Sequence, residues 1–100
     1  MHCLTVTYPH PDKPEDFKRY YEGNHIPLAK QLPGLKSCSY GYPSALGDAA
    51  GVPFCIFQAW FDSAEAMGQA MQSETGRKVA ADVANYSPKG ATLFHYVQQN

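Results

Sequence analysis

The ten residues VPFCIFQAWF (52–61) are apolar at almost every position and include four aromatic rings. Read with a period of two, they place Phe54, Ile56 and Trp60 on one face and Cys55, Phe57 and Phe61 on the other. A strand with one wet face alternates apolar and polar residues, and this one does not. Both of its faces therefore need cover, as in a strand of a sheet packed on two sides.

The flanking segments supply the rest of the sheet. HCLTVTY (2–8) alternates Leu4 and Val6 with Cys3, Thr5 and Thr7, and the proline-rich PHPDKP ends it. KSCSYGY (36–42) sets Cys38, Tyr40 and Tyr42 against Ser37, Ser39 and Gly41. ATLFHYV (91–97) sets Leu93, His95 and Val97 against Phe94 and Tyr96. PSALGDAAG (43–51) is small and loop-like.

Two helical regions lie between these strands. Pro14 suits a first helical position, and Glu15 and Asp16 suit the positive end of the helix dipole. Phe17, Tyr20 or Tyr21, Asn24 or His25, and Leu28 then recur at three- and four-residue steps. Gly23 and Pro27 weaken this pattern, and Ile26 precedes a proline. The expectation is a helix over about 14–22, a break, and a second piece over about 26–32, stopped by LPGL (32–35). In the second region Asp62 or Ser63 caps a helix with an acid at position 65. Ser73 and Glu74 can begin a further helical piece that runs to a turn at SPKG (87–90).

The resulting order is β-α-β-β-α-β. This matches a ferredoxin-like α+β protomer, an antiparallel four-stranded sheet with its helices on one face. Helices on one face leave the other uncovered, and its aromatic residues form a larger patch than a monomer usually exposes. A second copy packed sheet to sheet would cover it, giving a homodimer with a chamber between the opposed faces.

Composition narrows the function. One hundred residues with a formal net charge of −1 suit one domain, and no basic patch suggests nucleic acid. No apolar run is long enough to span a membrane. No secretory signal is visible, so the expected location is cytoplasmic. A chain this short leaves little room for an internal cavity, so a pocket is expected to need the second copy. The three cysteines form no disulfide framework, and small core hydrophobes are the expected reading, with Cys38 the best candidate for a reactive thiol. The histidines at 2, 10, 25 and 95 have no zinc-binding spacing. GDAAG leads into a strand and YPSALG lacks a nucleophile elbow, so neither metal nor cofactor is expected.

FKRYYEGNHIPLAKQLPGL (17–35), with its paired tyrosines, His-x-Pro-Leu and Leu-Pro-Gly-Leu, resembles the EthD-type family of the dimeric α+β barrel superfamily. The specific motif spans only about residues 17–35, although the order of elements agrees along most of the chain. The resemblance implies a protomer dimerised through its sheets. In a lactone methylisomerase of this kind, which works without a cofactor, the histidine of His-x-Pro and a tyrosine of the next strand are implicated. Carried over by motif, the histidine is His25. Spacing lands near Cys38, and Tyr40 is the nearest tyrosine on that strand face.

Each candidate has a structural reading beside the functional one. His25 titrates near neutrality and suits a general base, or it caps or packs a helix end. Tyr40 and Tyr42 can hold a substrate oxygen, or they pack as strand tyrosines commonly do. Tyr20 and Tyr21 read as packing residues, with one hydroxyl able to reach a pocket. Asn24 caps the second helical piece or orients His25. Trp60 and Phe57 read as core or chamber wall. His95 is a lumen polar group or a buried, satisfied histidine, and His2 and His10 read as peripheral.

The expected function is a cofactor-free isomerase or cyclase acting by proton transfer on a small apolar lactone, carbonyl or polyketide-like compound. The alternatives are a cofactor-independent oxygenase, a haem-degrading protein, or a non-catalytic binder of a small apolar or aromatic ligand.

Overall fold

The computed structural model describes residues 1–100. Four strands form one antiparallel sheet: β1 (His2–Tyr8), β2 (Ser37–Gly41), β3 (Cys55–Phe61) and β4 (Thr92–Val97), in the order β2-β3-β1-β4. The strands expected from period-two patterning are all present. Phe54 lies outside β3 and packs edge-on against Phe17, at 5.0 Å between ring centroids.

Register fixes the two faces. Pairing Val6 with Phe57 and Leu93, and Tyr40 with Phe57, puts these side chains together on the face that the helices approach. The pairings Cys3–Trp60, Cys3–Tyr96 and Thr5–Phe94 define the opposite, open face. No helix covers that face, yet Cys3 and Thr5 are buried beneath their larger neighbours. Phe94 and Tyr96 remain 48% and 41% exposed.

On the covered face lie α1 (Pro14–Tyr20), α2 (Ile26–Ala29), α3 (Ala64–Gln72) and α4 (Glu74–Tyr86). The expected break between the first two does not occur. A π-helical turn, Tyr21–His25, joins them into one continuous element, and Ile26 N–H donates to Tyr21 C=O five residues back. The reason is local. Pro27 has no N–H to give to the preceding turn, and a widened turn absorbs that loss without ending the helix. The π-turn also changes which residues are buried. Phe17, Tyr21 and His25 point inward at four-residue steps, followed by Ile26, Ala29 and Leu32. Asn24 is exposed and caps nothing, because neither the π-turn nor α2 has a side-chain cap.

The second helical region splits where the sequence suggests. Ser63 Oγ accepts from Ala66 N–H and Ser73 Oγ accepts from Gly76 N–H, each at 3.0 Å, which caps α3 and α4 separately. Gly76 is buried at this corner because a side chain would not fit. A Cβ there would lie 2.2 Å from the carbonyl oxygen of Ala70. Gly68, within α3, has open space where its Cβ would be.

The core is an aromatic cluster. Tyr8, Phe17, Tyr21 and Tyr86 meet at centroid distances of 5.2–5.5 Å, mostly tilted or edge-on. Such pairs contribute about 0.5–1.5 kcal/mol beyond the area they bury. Cys55 is buried among them, and burial pushes its thiol up to about 11, so it behaves as a small hydrophobe. No helix is long and apolar enough to cross a membrane.

The two helical glycines should respond in opposite directions to alanine. Gly68→Ala should stabilise the protein by about 0.5–1 kcal/mol by improving helix propensity. Gly76→Ala should destabilise it by about 1–3 kcal/mol by overpacking the α3–α4 corner. Urea unfolding of both variants checks the contrast, and a stabilised Gly76→Ala protein would contradict the corner geometry.

Candidate active site

The polar side chains of the interior meet where the π-turn faces α4. His25 is 3% exposed, stacked on Tyr21 (5.4 Å, 15° between planes) and against Tyr86 (4.6 Å, 57°). Its Nδ1 lies 2.9 Å from Asp82 Oδ2. The other carboxylate oxygen, Oδ1, accepts from the Tyr20 hydroxyl at 2.6 Å and from Asn85 Nδ2 at 3.0 Å. Asn85 Nδ2 also donates to the Tyr20 hydroxyl, at 3.3 Å.

These contacts fix protonation states. Burial alone would raise the Asp82 carboxyl, but hydrogen bonds from Tyr20, Asn85 and His25 outweigh it and hold the group below the usual carboxylate value. An ionised carboxylate only accepts, so His25 Nδ1 carries the proton and donates. For His25, burial lowers the pKa from its ordinary value and outweighs the attraction of Asp82. The ring is therefore neutral near pH 7, with the lone pair on Nε2. No protein group hydrogen-bonds to Nε2.

His25 lines a cavity of about 260 Å³ between the sheet and the helical layer. Leu4, Val6, Phe57 and Leu93 form the sheet side, and Leu32, Met71, Val79, Ala80 and Val83 form the helical side, with Ala91 beside them. Tyr8 completes the wall and is, with His25, one of the two lining residues that carry a polar side-chain atom. The Tyr8 hydroxyl accepts from Tyr86 at 2.9 Å, which leaves its own proton free to donate. Burial raises the pKa of both phenols, so they stay protonated.

The structure brings together only some of the residues expected from the sequence. His25 reaches a cavity, but one on the helix side of the sheet within a single protomer, not a chamber between opposed sheets. Tyr40 shares that side of the sheet yet is 40% exposed and absent from the cavity wall. Tyr21 stands between the two, stacked on His25 and edge-on to Tyr40 at 5.6 Å. The Tyr21 hydroxyl is buried without a partner and does not line the cavity.

Cys38 is half-buried against the core at the sheet edge. Tyr42 donates to Glu22 at 2.7 Å, outside the cavity, with the Lys18 ammonium over its ring at 4.8 Å. Trp60 lies on the open face, edge-on to Tyr96. His95 is exposed on β4 with its Nδ1 2.8 Å from His2 Nε2, so His2 is a buried partner and not peripheral. No group of three or more His, Cys, Asp or Glu side chains is placed to hold a metal ion.

Tyr8, Asp82, Asn85 and Tyr86 escape a reading by sequence alone. Tyr8 continues the Leu4–Val6 face by one more step of two. Asp82 is the more telling omission, because an acid falls within the helical stripe Val79, Val83 and Tyr86. Acids are rarely buried without a partner, so its presence there points to one.

The α+β ferredoxin-like fold and the histidine-bearing π-turn define the class, and comparison with known proteins gives the family. The EthD domain matches residues 10–90, and the chain belongs to the EthD family. An uncharacterized 11.0 kDa protein from the thcB–thcC intergenic region of Rhodococcus erythropolis is 34% identical over 93 residues, which cover 93% of this chain and 90% of that one. The structure of an ethyl tert-butyl ether D family protein from Bacillus halodurans has a TM-score of 0.91 at 22% identity, covering 99% of both chains. A dimeric ferredoxin-like protein from Thermobifida fusca has a TM-score of 0.70 at 17% identity, covering 97% of this chain and 90% of its own. SnoaB, a cofactor-independent oxygenase from Streptomyces nogalater, has a TM-score of 0.62 at 12% identity, with coverages of 99% and 92%. At these identities the three structures establish the shared fold alone.

Two stability effects follow from the His25–Asp82 pair. Because the folded pKa of His25 is lowered, its contribution is complete above the unfolded value of about 6.5 and is lost as pH falls through the lower folded value. Chemical denaturation between pH 7 and pH 5 should show this decline, and His25→Gln should flatten it; equal slopes would contradict a neutral buried ring. Asp82→Ala should cost about 1–3 kcal/mol by leaving the buried His25 Nδ1–H without an acceptor, a loss measurable by the same method.

Proposed function

We propose that the protein is a cofactor-free enzyme of the isomerase or cyclase type, acting by proton transfer on a small apolar lactone, ketone or related carbonyl compound. One observation carries this reading: the unpartnered Nε2 of a neutral, carboxylate-anchored histidine is the basic group of an otherwise apolar cavity. His25 Nε2 removes a proton from a carbon next to the carbonyl, and the electron pair moves onto the carbonyl oxygen. Tyr8, backed by Tyr86, donates a hydrogen bond to that developing oxyanion. The proton then returns from Nε2 to a different carbon, so the isomerisation balances without a redox partner. The cavity is at the small end of ligand sites and no Lys or Arg lines it, which favours a compact uncharged ligand.

A homodimer closed through the open sheet face belongs to the same reading. The exposed Phe94 and Tyr96, with Trp60 and Ile56 beside them on that face, support it. The dimeric description of the Thermobifida fusca protein of this fold supports it as well. Phe94→Asp should shift the mass in multi-angle light scattering from two chains to one; an unchanged mass would remove this interface.

Activity is tested by following hydrogen–deuterium exchange of a panel of small lactones and enones in D₂O by NMR. The wild-type protein should catalyse exchange. His25→Ala should reduce it by roughly 10²–10⁴-fold and Tyr8→Phe by roughly 10²-fold, whereas Tyr40→Phe should stay within a few-fold of wild type. Ligand binding without exchange would make the protein a binder. Oxygen uptake with electron-rich phenols, in place of exchange, would assign the same base to cofactor-independent oxygenation. Full activity in His25→Ala would sink the assignment altogether.

A further inference from the structure

We infer that Tyr20 is a positioning residue for His25, acting through Asp82, whose side chain it orients so that one oxygen is left to hold the proton on Nδ1 and keep the Nε2 lone pair free. The inference rests on the reading of His25 as the base. Its physical origin is the π-turn. Residues five apart on a regular α-helix are about 140° apart around the axis, so Tyr20 and His25 would point away from one another. The turn Tyr21–His25 is wider, and it swings both side chains onto the same carboxylate. Tyr20 approaches from the outer side, where it and Asn85 line a surface groove, while His25 approaches from the cavity.

The two oxygens of Asp82 are thereby divided. Oδ1 is taken by Tyr20 and Asn85, and Oδ2 is left to His25 Nδ1. Every donor is committed, so the carboxylate has one orientation and the imidazole one tautomer. An isosteric amide at position 82 exposes the role of Tyr20. Asn85 Nδ2 can only donate at Oδ1 and the Tyr20 hydroxyl donates there too, so the two together favour the amide oxygen in that place. Its NH₂ group then faces His25 Nδ1, which has to accept, and the ring proton moves to Nε2. The base is lost with no change in shape.

The tautomer of His25 can be read from ¹⁵N chemical shifts in two-bond ¹⁵N–¹H correlation spectra of the ligand-free protein. No substrate is required, so the outcome is independent of whether the proposed reaction is correct. Wild type should show Nδ1–H. Asp82→Asn should show Nε2–H, and the double variant Asp82→Asn/Tyr20→Phe should recover a share of Nδ1–H, because only Asn85 then orients the amide. Tyr20→Phe alone should keep Nδ1–H, because the Asp82 carboxylate still only accepts. Where exchange activity is present, Asp82→Asn should lose roughly 10²–10⁴-fold, comparable to removal of the ring. The inference is overturned if Asp82→Asn retains Nδ1–H, or if its tautomer is the same with and without Tyr20. A purely structural tyrosine would lower the melting temperature in these variants without moving the tautomer.

Discussion

Asp82 on α4 and His25 on the π-turn are 57 residues apart in sequence and joined at 2.9 Å. This bond ties the first helical element to the last across the covered face of the sheet. It also settles a conflict within the interior. A histidine and an acid buried separately would each be costly, and the acid more so. Paired, with Tyr20 and Asn85 completing the carboxylate, they sit beside an aromatic cluster with the acid satisfied and the imidazole Nδ1 anchored. Around them, Tyr8, Tyr21 and Tyr86 fill the space that the ring and the carboxylate leave. Removing Asp82 therefore disturbs helix packing and ring orientation together.

The two faces of the sheet serve different ends. On the open face, long side chains from β3 and β4 shelter the short Cys3 and Thr5 of the central strand and leave their own outer surfaces exposed. That arrangement suits a flat contact with another sheet. On the covered face β4 is poorly covered, with Leu93 53% exposed at the cavity wall. The cavity thus follows from incomplete cover within one protomer. A chain of 100 residues can hold it because it sits at the margin of the core and does not divide it.

The fold was legible in the sequence because its signals are local and repeated. Period-two patterning in HCLTVTY and FCIFQAWF, serine caps at 63 and 73, and the Leu-Pro-Gly-Leu stop each specify an element, and Gly34 at the stop takes the positive φ of 75° that the turn requires. The π-turn was not legible. Gly23 and Pro27 predict interruption, but whether a helix breaks or widens depends on what holds its far side, and that is α4. The motif singles out His25 as a candidate, whereas nothing in it points to Asp82. Spacing along β2 lands near Cys38, and Tyr21 stands between His25 and Tyr40, the nearest tyrosine on that strand face. The groups that meet His25, or share its cavity, come from the far ends of the chain, Tyr8 and Asp82, and only tertiary structure brings them together.

Burial also bears on the kind of reaction such a site can support. An imidazolium in this cavity is disfavoured, since desolvation outweighs the attraction of Asp82. On the proposed reading, a proton taken by Nε2 is therefore returned readily to the substrate. The apolar walls offer it no other acceptor, and the Tyr8 and Tyr86 phenols are raised by burial and remain donors. Chemistry that accumulates charge, such as hydrolysis through a stable anion, is poorly matched to these surroundings. Chemistry that moves a proton from one carbon to another within a bound molecule is well matched, because net charge at the site is the same before and after. On the proposed reading of His25 as the base, the property that keeps its ring neutral thus favours rearrangement of an uncharged substrate over its cleavage.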